Sequence, residues 1–171
     1  GEMLKATQTA MNDPLTGLLN RRGFTNLSER ELDLSSRTKC PMTIVVIDLN
    51  AFKPINDTYG HKVGDDLLQY FAVELTNATR KSDLIGRMGG DEFLVVMSGV
   101  EDNSSLKVMA NKLQEEFNSP FKIQKQLIHV EASIGVSVYL NNNDDAHTLI
   151  QLADEAMYEA KKQAGNSIYF I

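Results

Sequence analysis

Hydrophobic residues along this chain recur in two rhythms. Phe24, Leu27, Leu32 and Leu34 predict a helix from about Arg21 to Ser36, and Leu67, Leu68, Phe71 and Leu75 one from Asp65 or Asp66 to about Thr79. Leu106, Met109, Leu113 and Phe117 predict a third over about Ser104–Asn118, and Leu149, Leu152, Ala153, Ala156, Met157 and Ala160 a last one over about Ala146–Gln163. Between them lie β-branched runs. Met42–Ile47 is apolar without interruption and ends on Asp48, the pattern of a strand buried on both faces. In LIGRMGGDEFLVV, Leu84–Val96, two apolar runs flank Gly89-Gly90, a two-residue connection suited to primed hairpin turns. Phe121–Ile123 and Leu127–Leu140 read as a strand pair and Ser167–Ile171 as a closing strand. Gly135, in mid-strand, predicts close approach by a neighbouring element.

The connections carry turn residues. Asp13-Pro14 and Thr16-Gly17 form a turn that Leu15, Leu18 and Leu19 would pin to the core, Gly60 and Gly64 bound a second loop, and Asn141–Asp145 is a polar third. Residues 2–12 have helical composition, the tail of a helix arriving from upstream or a frayed terminus. Helices alternating with hairpin-linked strands predict an α+β fold, a mixed and mainly antiparallel sheet with flanking helices, centred on Met42–Ile47 and the hairpin.

Composition narrows the picture without deciding function. The 171 residues, 42% hydrophobic and 23% charged, suit one globular domain. Cys40 is the single cysteine, so no internal disulfide forms, and no apolar run approaches the roughly 20 residues of a membrane span. A formal charge of −6 argues against a nucleic-acid polymer as partner. An anionic small molecule would need divalent cations or a few placed lysines.

The candidate chemistry sits at the strand ends. Asp91 and Glu92 open the second hairpin strand, and carboxylates at the mouth of a buried strand are unfavourable unless a cation or donors meet them. If the strands are neighbours, Asp48 and Asp91 converge on one sheet edge. An all-oxygen donor set favours Mg²⁺ or Mn²⁺ over zinc. Strand alternation would turn Asp91 and Glu92 to opposite faces, leaving one of them as the direct ligand. Backbone amides near Asn50–Phe52, followed by Lys53, form a possible phosphate cradle. Together these parts point to phosphoryl transfer.

DPLTGLLNRRGF, IDLNAFKPINDTYGHKVGDDLL, RMGGDEF, SIGVSV and ADEAMYEAKKQAGN stand in an order and spacing that resembles the GGDEF domain of diguanylate cyclases over nearly the whole chain. The resemblance implies the palm-like nucleotidyl cyclase fold, with residues 1–12 a linker helix and 13–171 the catalytic domain. It implies condensation of two GTP into cyclic di-GMP, one GTP per chain, in a homodimer. Asp48, the Leu49 carbonyl and Asp91 match the metal ligands, with Asp91 also the base for the ribose 3′-hydroxyl and Glu92 an acidic residue needed for activity. Asn56 and Asp65 match the guanine contacts, His61 and Phe52 lie beside the substrate, and Lys53 and Lys161 match phosphate or transition-state lysines. Arg80-Lys81-Ser82-Asp83 matches an R-x-x-D site where product binds and inhibits. The resemblance further implies a cytoplasmic domain of a longer parent, soluble or membrane-bound, with an upstream sensory or regulatory domain.

Each match has a plainer reading: Asn56 and Asp57 would cap a helix, His61 would be a turn residue, Lys161 would meet a helix dipole, and Arg80–Asp83 would be a surface ion pair. Two departures from the family pattern stand out, Asn50 in place of an aspartate and Ala164-Gly165-Asn166 in place of glycine-arginine-asparagine. Three functions therefore compete, namely a product-inhibited cyclase, a non-catalytic receptor for GTP or cyclic di-GMP, and a Mg²⁺-dependent nucleotide hydrolase.

Overall fold

The computed structural model describes residues 10–50, 52–99, 103–139, 145–162 and 167–170. In chain order these hold α1 (Arg21–Thr38), β1 (Met42–Asn50), α2 (Phe52–Tyr59), α3 (His61–Ala78), β2 (Leu84–Gly89), β3 (Glu92–Ser98), α4 (Asn103–Asn118), β4 (Phe121–Ile123), β5 (Gln126–Ile128), β6 (Glu131–Tyr139), α5 (Ala146–Lys161) and β7 (Ser167–Phe170). Residues 2–9 of the expected leading helix, most of the Asn141–Asp145 loop and Ala164-Gly165-Asn166 lie outside the described residues.

The main sheet runs β2-β3-β1-β6-β7, antiparallel except for the parallel pair β6 and β7. Its mixed, mainly antiparallel character matches the sequence expectation. β1 is central, and its uninterrupted apolar run follows from burial on both faces. Val45, Ile47 and Leu49 join Phe93, Val95 and residues of α3 and α4, whereas Met42, Ile44 and Val46 join Leu94, Val96, Phe24 of α1 and Leu149, Ala153 and Met157 of α5. Each aliphatic side chain so buried contributes about 1.5–3 kcal/mol. Helix ends are closed by local chemistry. Asn20 accepts from Gly23 N–H and Asp145 from Thr148 N–H, and α1 stops where Lys39 turns left-handed.

Four sequence expectations need correction. Strand β1 continues past Asp48 to Asn50, because Asp48, Leu49 and Asn50 still pair with Ser133, Ala132 and Glu131 of β6. Helix α3 begins at His61, four residues before Asp65. Gly64 is therefore helical, and its missing side chain lets Asn56 of α2 pack against it, since a Cβ there would lie 1.7 Å from Asn56 Oδ1. In the hairpin, Gly89 pairs with Glu92 after a register shift at Arg87, so the turn is Gly90-Asp91, with positive φ at Gly90 alone of that pair. Finally, Leu127–Leu140 is two strands. β5 pairs with β4 as a separate hairpin, and β6 belongs to the main sheet.

The expectation for Gly135 holds. A Cβ there would stand 2.1 Å from the Ala153 carbonyl oxygen and 2.2 Å from the Met157 nitrogen, so the backbone of α5 lies directly on β6. This contact sets α5 low enough for its last turn to reach the end of β1.

Candidate active site

Asp48 projects from β1 toward the α5 side of the sheet, opposite Glu92 on β3 and Ser133 on β6. Directly opposed residues of antiparallel strands share a face, so Asp48 and Glu92 point the same way. Asp91, in the turn, is free of the strict alternation the sequence implied. Its carbonyl accepts from Leu49 N–H at 3.2 Å, which places both aspartates at one sheet edge. Lys161, on the last turn of α5, brings Nζ to 2.5 Å from Asp48 Oδ2. The other oxygen, Asp48 Oδ1, is buried and has no hydrogen-bond partner among the described residues.

The electrostatics follow from crowding. Burial, then the charge of Asp48, pushes the Asp91 carboxyl up to about 6. Glu92 is raised as well, first by burial and then by Asp154 and Asp48, with Arg21 opposing. For Lys161, burial pulls the ammonium down, but the hydrogen bond and charge of Asp48 outweigh it and leave it raised.

Two carboxylates that repel each other, one with a buried unpartnered oxygen, suit a hard divalent cation. Among the described residues no group of three or more His, Cys, Asp and Glu side chains gathers as a metal cage. A donor set of two carboxylates fits a cation such as Mg²⁺, which keeps several waters and takes phosphates as further ligands.

A second group of predicted residues meets at the corner of α2 and α3. Asn56 and Asp57 are interior to α2, which removes the helix-cap reading. The Asn56 carboxamide packs against Gly64, near which the Phe52 ring also lies, with Oδ1 buried and unpartnered among the described residues. His61 and Asp65 are exposed on the first turns of α3 beside it. Lys53 is exposed on the first turn of α2 and makes no ion pair with Asp48 or Asp91 among the described residues.

The structure sets Arg80 and Asp83 apart from both groups. Asp83, fully buried in its side chain, accepts Arg80 Nε at 3.2 Å, a terminal guanidinium nitrogen at 3.0 Å and Arg80 N–H at 2.8 Å. That guanidinium nitrogen also donates to the Ser98 carbonyl at 2.8 Å. Ser98 ends β3, six residues from Glu92, so R-x-x-D lies roughly 20 Å along the strand from the carboxylates.

The sequence reading missed several neighbours. Ser133 Oγ donates to Asn50 Oδ1 at 3.0 Å, and Asp154 and Arg21 set the charge around Glu92. Asp154 was findable, since it stands seven residues before Lys161 on one helical face. Arg21 and Ser133 carry no comparable signal.

The family model of the diguanylate cyclase GGDEF domain matches residues 10–167. Diguanylate cyclase DosC of Escherichia coli (strain K12) is 36% identical over 157 residues, 91% of this chain and 34% of the relative. Response regulator PleD of Caulobacter vibrioides is 34% identical over 163 residues, 94% of this chain and 36% of the relative. The chain thus spans about a third of the length of these curated relatives. Among solved structures, the GGDEF domain of TpbB (YfiN) from Pseudomonas aeruginosa superposes with a TM-score of 0.88 at 31% identity, covering 93% of both chains. A microbial GGDEF domain studied for its interaction with cyclic di-GMP superposes at 0.82 and 32% identity, over 97% of this chain and 99% of its own.

Proposed function

This chain belongs to the GGDEF family of diguanylate cyclases, and on that premise we propose that it condenses two GTP, one held by each of two chains, into cyclic di-GMP with release of two pyrophosphates. The observation that carries the reading is the Asp48–Asp91 pair, with Asp48 Oδ1 buried and unpartnered and Asp91 pushed up to about 6. Asp48, Asp91 and the Leu49 carbonyl would hold Mg²⁺ or Mn²⁺, which when bound neutralises phosphate charge and polarises the reacting phosphorus.

The chain's own groups supply the rest. Asp91, in the turn at the sheet edge beside Asp48, serves as base toward the ribose 3′-oxygen. Lys161, fixed by Asp48, presents its ammonium at the rim, where phosphate oxygens would lie. The unpartnered Asn56 Oδ1 is an acceptor waiting for a donor, and a guanine edge offers N–H groups to it, with Asp65 as second acceptor. Lys53 and His61, exposed on either side, complete the substrate contacts, and Phe52 lines the base pocket.

R-x-x-D is read as a product site that regulates this reaction. Its guanidinium is held in place by Asp83 and the Ser98 carbonyl, which leaves the other terminal nitrogen and the flat face for a phosphate or a guanine. The parent is read as a longer signalling protein with a regulatory part upstream. PleD, of which this chain matches 36%, is named a response regulator.

Incubation of the protein with GTP and Mg²⁺, followed by chromatography, tests the proposal. Cyclic di-GMP with pyrophosphate is expected, at a rate per chain that rises with protein concentration below the dimer dissociation constant. GDP as product would favour the hydrolase, and unchanged GTP with measurable nucleotide binding would favour a receptor, the reading that Gly165 in place of the family arginine supports.

A further inference from the structure

The β4–β5 hairpin has turn chemistry that runs against its sequence. Gln124 and Lys125 adopt φ of 48° and 69°. A two-residue turn with positive φ at both positions normally selects Asn-Gly, because longer side chains are disfavoured in the left-handed region. What glutamine gains there is reach. Gln124 Nε2 donates to Asp66 Oδ2 at 2.5 Å, across 58 residues of sequence. Asparagine, the usual left-handed residue, is one methylene shorter.

Asp66 stands at a telling place. It follows Gly64, which packs on Asn56, and Asp65, and it lies in the opening turns of a helix whose first residue is preceded by Gly60 with no side-chain cap. An uncapped helix start frays unless something else restrains it. Asp66 is restrained twice, by Gln124 and by Lys62 Nζ at 3.2 Å to its other oxygen. One turn further on, the rings of Tyr70 and Phe121 meet at 5.0 Å, so the hairpin is seated along this end of α3 at two points.

We infer that Gln124 is a positioning residue which, through Asp66, holds the start of α3 and with it the wall of the Asn56 pocket in the geometry that receives a nucleotide base. The inference rests on reading that corner as the base site. A role limited to closing the hairpin would make asparagine the better residue. The positioning role makes it worse, and the two separate cleanly.

Calorimetry with a non-hydrolysable GTP analogue and Mg²⁺, together with amide hydrogen exchange over residues 61–67, tests this. Gln124→Asn is expected to keep or raise the melting temperature, to speed exchange over 61–67, and to weaken analogue binding about threefold, the scale of an exposed charge-assisted contact. Gln124→Arg, which keeps a donor at that reach, is expected to bind like wild type. Lys125→Gly, which relaxes the same turn without touching Asp66, should also leave affinity unchanged. Wild-type affinity in Gln124→Asn, an equal loss in Lys125→Gly, or no rescue by Gln124→Arg overturns the inference. If wild type does not bind the analogue, the base-site reading itself falls. If it binds and exchange over 61–67 is the same in Gln124→Asn, only the role of Gln124 falls.

Discussion

Arg87 and Asp13, 74 residues apart, form an ion pair in which one terminal guanidinium nitrogen donates to both carboxylate oxygens, at 3.1 and 3.3 Å, with both side chains only 15% exposed. The same guanidinium donates through Nε to the Gly90 carbonyl at 2.9 Å, and Asp13 also accepts from Thr16 N–H and Oγ. Backbone bonds from Leu19 N–H to the Ile85 carbonyl and from Arg87 N–H to the Leu19 carbonyl lay this turn along the edge strand β2. The turn that begins the described chain is thereby fastened to the hairpin that carries Asp91.

Arg87→Ala leaves Asp13 without its cation in a largely buried place and is expected to destabilise the fold by about 1.5–3 kcal/mol. Urea denaturation measures this. Arg87→Lys should recover part of the loss, since it keeps the charge beside Asp13 but not the second donor that reaches the Gly90 carbonyl.

Stability should fall in acid partly through Asp13. Burial alone would raise this carboxyl, but hydrogen bonds from Thr16 and the charge of Arg87 bring it below the ordinary aspartate value. Its folded value being depressed, the contribution is complete above about pH 4 and is lost as pH falls through the lowered folded value. Asp13→Asn is therefore expected to be less stable than wild type at pH 7, with the difference shrinking below about pH 4. Thermal melts across that range give the comparison.

Asp91→Asn removes a proposed ligand and base while keeping shape, so turnover should drop at least about a hundredfold. The metal-free fold should respond oppositely. With Asp91 raised to about 6 in the folded state, the stability that accompanies its protonation is complete near pH 4 and lost as pH rises through 6. The variant should thus gain on wild type between pH 4 and 7. Adding Mg²⁺ at pH 7 should raise the melting temperature of wild type more than that of the variant, and near-normal turnover would take Asp91 out of the mechanism.

Arg80→Ala strands the Asp83 carboxylate, whose side chain is fully buried, and should destabilise by about 1–3 kcal/mol. If R-x-x-D binds product, the affinity for cyclic di-GMP should also weaken about ten- to a hundredfold. Calorimetry alongside denaturation separates the two effects. A wild type with no affinity for cyclic di-GMP leaves Arg80 and Asp83 as a structural ion pair.

Gly135→Ala drives a methyl group into the backbone of α5, where no flexible side chain can yield. A loss of about 3 kcal/mol or more is expected, read as a drop in the denaturation midpoint. Because α5 also carries Lys161, whatever folds should show weakened GTP binding.

The sequence by itself determined the features that depend on local period and on unfavourable burial. The unbroken apolar run of β1 requires two covered faces, the 3.6-residue stripes require helices, a glycine amid Ser133–Val136 requires a close neighbour, and carboxylates at the mouth of a buried strand require a counter-charge. Tertiary structure alone decided where the charges meet. The start of α3 depended on Asn56 packing against Gly64, and the turn at Gly90-Asp91 on a register shift opposite β3. The pairs Asp13–Arg87, Asp66–Gln124 and Asp48–Lys161 join residues far apart in the chain. Periodicity reports which face a residue occupies on its own element. Which charge it meets depends on how elements distant in the chain are packed together, and no spacing within a segment encodes that.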